Sequence, residues 1–148
     1  MEKLRNLSED LKIDKFNLDV MAERMPELIQ YWGQVKVEAE SAKDRLYANY
    51  KLLKNEKNLA YRKNPPEGVK ITESVIDSLV ESDKDVVKAH SDFLDAQENY
   101  ATYEVAFTAI RDKSSRVRDE ISLWLGGYFG DSRQSEAKKA NARNIIED

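Results

Sequence analysis

The sequence contains no cysteine, so neither a disulfide framework nor a thiolate metal site is available, and nothing marks the protein for an oxidising compartment. It also lacks any run approaching 18 apolar residues. The first residues, MEKLRNLSEDLK, are charged and have no apolar stretch of the kind found in a signal peptide. We therefore expect a cytoplasmic protein that is neither exported by that route nor membrane-spanning.

An excess of basic charge is missing as well. The chain has 24 Lys and Arg residues against 28 Asp and Glu residues, which gives a net charge of -4. This balance argues against bulk attraction to nucleic acid, so any such binding must come from local segregation of charge. At 148 residues, 35% charged and 41% hydrophobic, the composition suits one soluble, helix-rich domain.

Catalytic motifs are also absent: we find no nucleophile beside a base at motif spacing, no phosphate-binding or dinucleotide-binding glycine motif, and no H-E-x-x-H. The single histidine, His90, has aspartates nearby, but a solvated or partly packed histidine on a helix outweighs a metal or acid-base role. The glycines at 126, 127 and 130 follow a predicted helix, where the dipole repels anions, so capping outweighs phosphate binding. We expect no enzyme, no catalytic residue, no cofactor and no metal.

The sequence does contain a long apolar heptad repeat between Leu79 and Tyr128. One set is Leu79, Val86, Phe93, Tyr100, Phe107, Ser114, Ile121 and Tyr128, and the set offset by three is Ser82, Ala89, Ala96, Tyr103, Ile110, Val117 and Trp124. This repeat predicts a long helix with one continuous apolar stripe. Such a helix cannot bury its stripe alone and needs a partner helix of similar length.

The partner helix is predicted upstream, where a second heptad repeat begins at Leu18. Its two sets are Leu18, Met25, Trp32, Ala39, Leu46 and Leu53, and Met21, Leu28, Val35, Ala42 and Asn49. Asn49 either fixes the register of the helix pair or lies near a frayed helix end. Because a proline inside a helix costs about 3 kcal/mol, the uninterrupted helix is predicted to begin near Pro26, after a separate turn or kinked extension.

Asn64-Pro65-Pro66-Glu67-Gly68 predicts a loop that returns the chain antiparallel, and Thr72 predicts the N-cap of the second helix. Residues 82–85 resemble another cap, but the heptad repeat passes through them without a change of phase, so we predict one helix. Gly126-Gly127 ends it. The expected fold is all-α: a long antiparallel helical hairpin with short flanking helices. Residues 1–130 would form its single domain, and residues 131–148 a polar tail that is a marginal helix or mobile.

Apolar residues at the end of the second helix are predicted to extend past the start of the first, because Val117 would face about Leu18. These residues are Ile121, Trp124, Leu125, Tyr128 and Phe129. Either the segment containing Leu4, Leu7 and Leu11 covers them or a neighbouring copy does. A lone helical hairpin buries little apolar area for its length, so we predict a homo-oligomer that uses these residues. Packing within one protomer is the competing explanation.

Charge is segregated around the predicted loop. Residues 51–70 hold six basic and two acidic residues, whereas residues 71–99 hold eight acidic and two basic ones. The predicted DNA-binding residues are Lys51, Lys54, Lys57, Tyr61, Arg62 and Lys63. Basic groups with aromatic rings nearby are typical of single-strand binding, although a basic helix end that complements its own dipole explains the same pattern. A second cluster of Arg111, Lys113, Arg116 and Arg118 is offset by acidic neighbours.

Ser82-Asp83-Lys84-Asp85-Val86 is followed by Ala109-Ile110 and a basic helix, and upstream lie a helix that contains Trp32 and a Thr72-Glu73 helix start. In these features the chain resembles the UvsY-like recombination mediator proteins of T-even-type phages. The resemblance covers about residues 18–129. The motifs are short and helical.

The resemblance implies a non-enzymatic helical protein that forms a ring of about six or seven copies. It further implies binding of single-stranded DNA and help in loading a RecA-like recombinase onto strands coated by single-strand-binding protein, in the host cytoplasm. Basic residues near the end of the first long helix contribute to DNA binding in that family, and Lys54, Lys57, Arg62 and Lys63 occupy the matching region.

A structural or adaptor α-hairpin that binds a protein partner and no DNA is the alternative function. In that case Trp124, Tyr128 and Phe129 would dock on the partner.

Overall fold

The computed structural model describes residues 5–68 and 70–128. Within these ranges the chain forms four α-helices: α1 (Leu7–Leu11), α2 (Leu18–Lys63), α3 (Glu73–Ser82) and α4 (Lys84–Leu125). The predicted all-α class is confirmed. None of these helices is both long and apolar enough to cross a membrane. The predicted tail, residues 131–148, lies outside the described part of the chain.

The described residues divide into two compact units. The first unit comprises the residues up to Tyr31 and from Thr108 onward, and the second comprises Trp32–Phe107. In the second unit, residues further along α2 contact residues that come earlier in α4. The Lys36 Nζ is 3.1 Å from Glu104 Oε1, and the Tyr47 ring centroid is 5.0 Å from that of Phe93. These contacts confirm the predicted antiparallel hairpin.

The prediction that the first long helix begins near Pro26 is wrong, because α2 begins at Leu18 and contains Pro26. The proline has no N–H, so the carbonyl of Ala22 loses its helical hydrogen bond. However, Leu18, Met25 and Leu28 are all at least nine-tenths buried. Burying one large apolar side chain contributes about 1.5–3 kcal/mol, so these residues together offset a cost of about 3 kcal/mol.

The heptad assignment at Asn49 is also corrected. Asn49 and Ala42 are exposed, and the half-buried positions are Tyr50 and Lys43, one residue later in each case. An α-helix drifts by about 20° per heptad against a strict seven-residue repeat. Over the four to five heptads from the start of α2, this drift approaches the 100° that separates consecutive residues. The buried position therefore shifts by one, and Asn49 does not set the register.

The second predicted helix is interrupted at Asp83, so the prediction of one continuous helix is wrong. The Asp83 N–H donates to the Val80 carbonyl at 3.2 Å, which caps α3. Its carboxylate accepts from the Asp85 N–H at 3.0 Å, which caps α4. The interruption shifts the apolar stripe, since Ile76 and Val80 are buried in α3 instead of Leu79 and Ser82. The buried apolar area and the two helix caps stabilise the interruption, which is why the buried positions depart from the heptad repeat here.

In the first unit, the short helix α1 is held by contacts from α4. The residue Lys113 is 5% exposed, and its ammonium donates to the Asp10 carbonyl oxygen at 2.7 Å. Burial lowers the pKa of Lys113. The Lys15 Nζ is 3.6 Å from Glu120 Oε1. Lys113 thus holds α1 in place. The residue is buried, so Lys113 is not an exposed member of the second basic cluster that the sequence suggested.

Candidate nucleic-acid interface

The six predicted DNA-binding residues lie together on the last turns of α2, within the second unit. We call this group of Lys51, Lys54, Lys57, Tyr61, Arg62 and Lys63 the basic end. Helix α2 continues to Lys63, and the Asn64-Pro65 sequence after it disfavours a further turn. Gly68, in the loop that follows, has φ of 78°, a conformation that favours glycine. The loop leads to Thr72, whose side chain accepts from the Val75 N–H as the predicted N-cap of α3.

A small apolar core lies beneath the basic end. Ile76, Val80 and Val86 are buried in it, and Tyr50, Leu53 and Tyr61 pack against it. Tyr61 also donates its hydroxyl hydrogen to Asp83 Oδ2 at 2.8 Å, and this bond raises the pKa of Tyr61. The Tyr61 ring is therefore part of the packing between α2 and the α3–α4 junction. Its assignment to DNA stays a prediction.

Lys57 is held by two carboxylates at the start of α4. Its Nζ lies 2.6 Å from Asp85 Oδ2 and 3.1 Å from Asp83 Oδ2, and these bonds raise the pKa of Lys57. Burial by itself would raise the pKa of Asp83, but bonds from Tyr61, Lys57 and the Asp85 N–H together lower it. Because the Asp83 side chain is 10% exposed and joins three partners, this cluster stabilises the junction.

Lys54 and Arg62 pair with carboxylates of α3. The Lys54 Nζ is 3.5 Å from Glu81 Oε1, the Arg62 guanidinium pairs with Glu73, and Arg62 Nε donates to Asn58 Oδ1 at 2.7 Å. All of these charged side chains are more than a third exposed. Exposed pairs of this kind contribute only about 0–1 kcal/mol, so another anion can replace the carboxylate at little cost.

The remaining two cations of the basic end, Lys51 and Lys63, have no carboxylate partner within 4 Å among residues 5–68 and 70–128. The Lys51 Nζ lies over the ring of Tyr47, 5.2 Å from its centroid. The basic end therefore contains three groups. Lys51 and Lys63 have no carboxylate partner in the described part of the chain, Lys54 and Arg62 form exposed ion pairs, and Lys57 and Tyr61 bind to the α3–α4 junction.

A second surface lies at the end of α4, in the first unit. The N–H of Gly127 donates to the Trp124 carbonyl at 3.2 Å and that of Tyr128 to the Leu123 carbonyl at 3.1 Å, a Schellman ending with Gly127 at φ of 72°. The predicted end at Gly126-Gly127 is thus confirmed. The exposed fractions of the large apolar side chains here are 41% for Leu123, 49% for Trp124, 84% for Leu125 and 53% for Tyr128.

We call Ile121, Leu123, Trp124, Leu125 and Tyr128 the apolar end. Ile121 is half-buried, and the other four are between 41% and 84% exposed within the described part of the protomer. Phe129, which was predicted to belong to this surface, lies outside the described residues.

No protein-family model matches the sequence, and no curated protein sequence matches it at a significant level. Three crystal structures of the bacteriophage T4 recombination mediator protein UvsY do match the fold. They were determined in lattice types IV, I and II, with TM-scores of 0.68, 0.67 and 0.68 and sequence identities of 17%, 18% and 18%. The matches cover 80%, 80% and 82% of this chain and 90%, 93% and 92% of those chains.

The chain has the fold of UvsY. The resemblance that the sequence suggested is therefore confirmed at the level of the fold. At this sequence identity, the function of individual residues cannot be transferred from UvsY to this chain. The roles of the basic end and the apolar end are therefore inferred from the chemistry of their own side chains.

The carboxylates that pair with the basic end were missed from the sequence, although a signal for them was present. Residues 51–70 are mainly basic and residues 71–99 mainly acidic, and the loop between them makes the two segments antiparallel. Oppositely charged segments that fold back on each other form ion pairs, so Glu73, Glu81 and Asp83 could have been expected opposite the basic end. His90 is exposed and contacts the Tyr50 ring at a centroid distance of 4.9 Å, in agreement with a solvated or partly packed helical histidine.

Proposed function

We propose that this protein is a single-stranded DNA-binding recombination mediator that helps load a RecA-like recombinase onto strands coated by single-strand-binding protein. The observation that carries the proposal is the match to the UvsY recombination mediator over at least 80% of this chain at TM-scores of 0.67–0.68. The basic end and the apolar end supply the two surfaces that such an activity needs, one for phosphates and one for association with further copies.

The cations of the basic end would bind phosphate in a definite order. Lys51 and Lys63 are available first, because neither is paired with a carboxylate in the described part of the chain. Lys54 and Arg62 follow by exchanging an exposed carboxylate for a phosphate. Lys57 and Tyr61 come last in this order, because both also hold the α3–α4 junction.

One protomer therefore offers few phosphate contacts, which suits a protein of net charge -4 that binds DNA only when assembled. Association through the apolar end would place several basic ends along one strand, and linked weak sites bind far more tightly than a single site. The ring of about six or seven copies suggested by the resemblance is one such arrangement.

The proposal is tested by recombinase filament assembly on single strands coated with single-strand-binding protein. Adding the purified protein should shorten the delay before recombinase ATP hydrolysis begins, and fluorescence anisotropy should show binding to a labelled oligonucleotide at low salt. Absence of both effects would contradict the proposal. Capture of one phage protein through the apolar end, without any binding of DNA, would support the adaptor function instead.

Removing the charge of either α3 glutamate that pairs with the basic end should strengthen DNA binding. Replacing Glu73 or Glu81 with glutamine should tighten binding of single-stranded DNA by about 2- to 5-fold at low salt, because the phosphate no longer competes with a carboxylate for Arg62 or Lys54. Each substitution should leave the slope of log affinity against log salt about the same, because Arg62 and Lys54 contact phosphate in the wild-type protein as well. Anisotropy titrations at several salt concentrations measure both.

Asp77→Asn is the matched control, since it removes the same charge from an exposed residue of α3 that pairs with no cation of the basic end in the described structure. A general change in electrostatic potential would make the Asp77→Asn variant resemble the glutamine variants. Equal gains in all three variants would therefore overturn the role given to Glu73 and Glu81.

A further inference from the structure

A groove lined by aromatic rings lies beside the basic end, on the same helix pair of the second unit. It is an open cavity of about 450 Å³ between α2 and α4, and its main lining residues are Lys43, Asp44, Tyr47, Phe93, Gln97 and Tyr100. We call this the aromatic groove. The Tyr47 ring packs against Phe93 at a centroid distance of 5.0 Å and an interplanar angle of 42°, yet the Tyr47 side chain remains 43% exposed.

Two lysines flank these rings. The Lys43 Nζ lies over the ring of Tyr100, 4.4 Å from its centroid, and the Lys51 Nζ lies over the ring of Tyr47 at 5.2 Å. The lining carboxylate, Asp44, is 3.2 Å from Lys43, so it neutralises that lysine. Lys51 has no carboxylate partner in the described part of the chain and is the uncompensated cation of the groove.

The groove is continuous with the basic end because both contribute to one face of α2. That face carries residues spaced by three or four positions, which fall on the same side of a helix. They are Lys43, Tyr47, Lys51, Lys54, Asn58 and Arg62, and we call this series the α2 stripe. From its first to its last residue the α2 stripe extends about 28 Å at 1.5 Å per residue.

We propose that the aromatic groove is a base-binding subsite for single-stranded DNA, in which the Lys51 ammonium leaves the face of the Tyr47 ring to contact a phosphate and the adjoining base stacks on that ring. The inference rests on the proposed function. Alternating rings and cations along a surface are the arrangement by which proteins bind single strands without sequence preference, since every base has a face that can stack. Lys51 joins the two parts because it lies between Tyr47 and Lys54 on the α2 stripe.

The test combines a change in the protein with a change in the DNA. Affinities of the wild-type protein and the Tyr47→Leu variant are measured by anisotropy for a labelled oligothymidylate and for one of the same length with abasic positions. Tyr47→Leu should weaken binding to oligothymidylate about 5-fold or more, the usual loss of one base–ring stack. It should leave binding to the abasic strand unchanged, because that strand has phosphates but no bases. Tyr47→Phe keeps the ring and should bind both strands as the wild type does.

The outcomes separate this proposal from the general one. If the wild-type protein does not bind oligothymidylate at low salt, the proposed function itself fails. If it binds but Tyr47→Leu weakens both strands equally, or neither, the groove does not take bases and the proposal is overturned. Photocrosslinking of the wild-type protein to 4-thiothymidine strands gives an answer that does not depend on the folding of a variant. Crosslinks to Tyr47, Phe93 or Tyr100 support the groove, and crosslinks found only elsewhere contradict it.

Discussion

Neutralising four cations of the basic end should weaken binding of single-stranded DNA by about 100-fold or more at low salt. The substitutions are Lys51→Gln, Lys54→Gln, Arg62→Gln and Lys63→Gln. These side chains are either unpaired among the described residues or joined to exposed carboxylates, so each can release a counterion on binding phosphate. Losing four phosphate contacts should also flatten the plot of log affinity against log salt by about 3. Anisotropy titrations between low and moderate salt measure both quantities.

Lys57 is left unchanged in this variant because its two carboxylate partners make it part of the fold. A second variant that neutralises Lys12, Lys15, Arg116 and Arg118 serves as the control, since it makes the same change in net charge in the first unit. An equal loss of affinity in both variants would show that total charge, and not the basic end, governs binding. Unchanged affinity in the first variant would show that the basic end is not the DNA-binding site.

Placing a charge in the apolar end should convert the assembled protein to single protomers. In the variant Trp124→Ser with Leu125→Asp, a carboxylate replaces a side chain that is 84% exposed in the protomer. If copies associate through this surface, the carboxylate is buried without a partner, which is far more costly than leaving it in water. The protomer should keep its helices, since neither side chain belongs to its core. Light scattering gives the mass and circular dichroism the helix content.

The same variant should lose DNA affinity by about 100-fold or more, because the advantage of several linked sites disappears. Val37→Asp is the control: this valine is 58% exposed on α2, away from the apolar end in sequence, and its replacement should leave the mass unchanged. A wild-type protein that is itself a single protomer would contradict self-association. An assembled double variant would show that copies meet through another surface.

The helical hairpin could be predicted from the sequence because its signals are local. The two consecutive prolines after Asn64 strongly disfavour a helix at that point, and Thr72 has a side chain that can cap the helix that follows. Gly127 can adopt the positive φ that ends α4 without a steric penalty. Each of these effects depends on one residue and its immediate neighbours, so each appeared in the structure where it was predicted.

The interruption at Asp83 and the continuity through Pro26 could not be predicted in the same way. In both places a local preference competes with burial, and only the tertiary contacts decide which one prevails. Leu18, Met25 and Leu28 are buried on both sides of Pro26 and retain the helix. At Asp83, burial of Val80 together with bonds from Tyr61 and Lys57 favours a break that the heptad repeat did not require.

The candidate site shows the same division. The sequence identified the cations of the basic end, because a cluster of like charges is visible in one segment. It did not show that Lys57 is paired with Asp83 and Asp85, nor that the Tyr61 ring is packed. The contact between Tyr47 and Phe93 in the aromatic groove could not be predicted from the sequence either, because the two residues are far apart in the chain.

The amino-acid sequence by itself determined the all-α class, the antiparallel return, the C-terminal ends of α2 and α4, the N-cap of α3 and the position of the basic residues. These signals act over a few residues, and at these positions no burial elsewhere in the chain opposes them. The tertiary structure alone decided the register of α2 against α4, and with it which cations are neutralised and which rings form a groove. A shift of one residue turns a helical side chain by 100°, and the small energies that choose between such shifts are sums over many packed contacts.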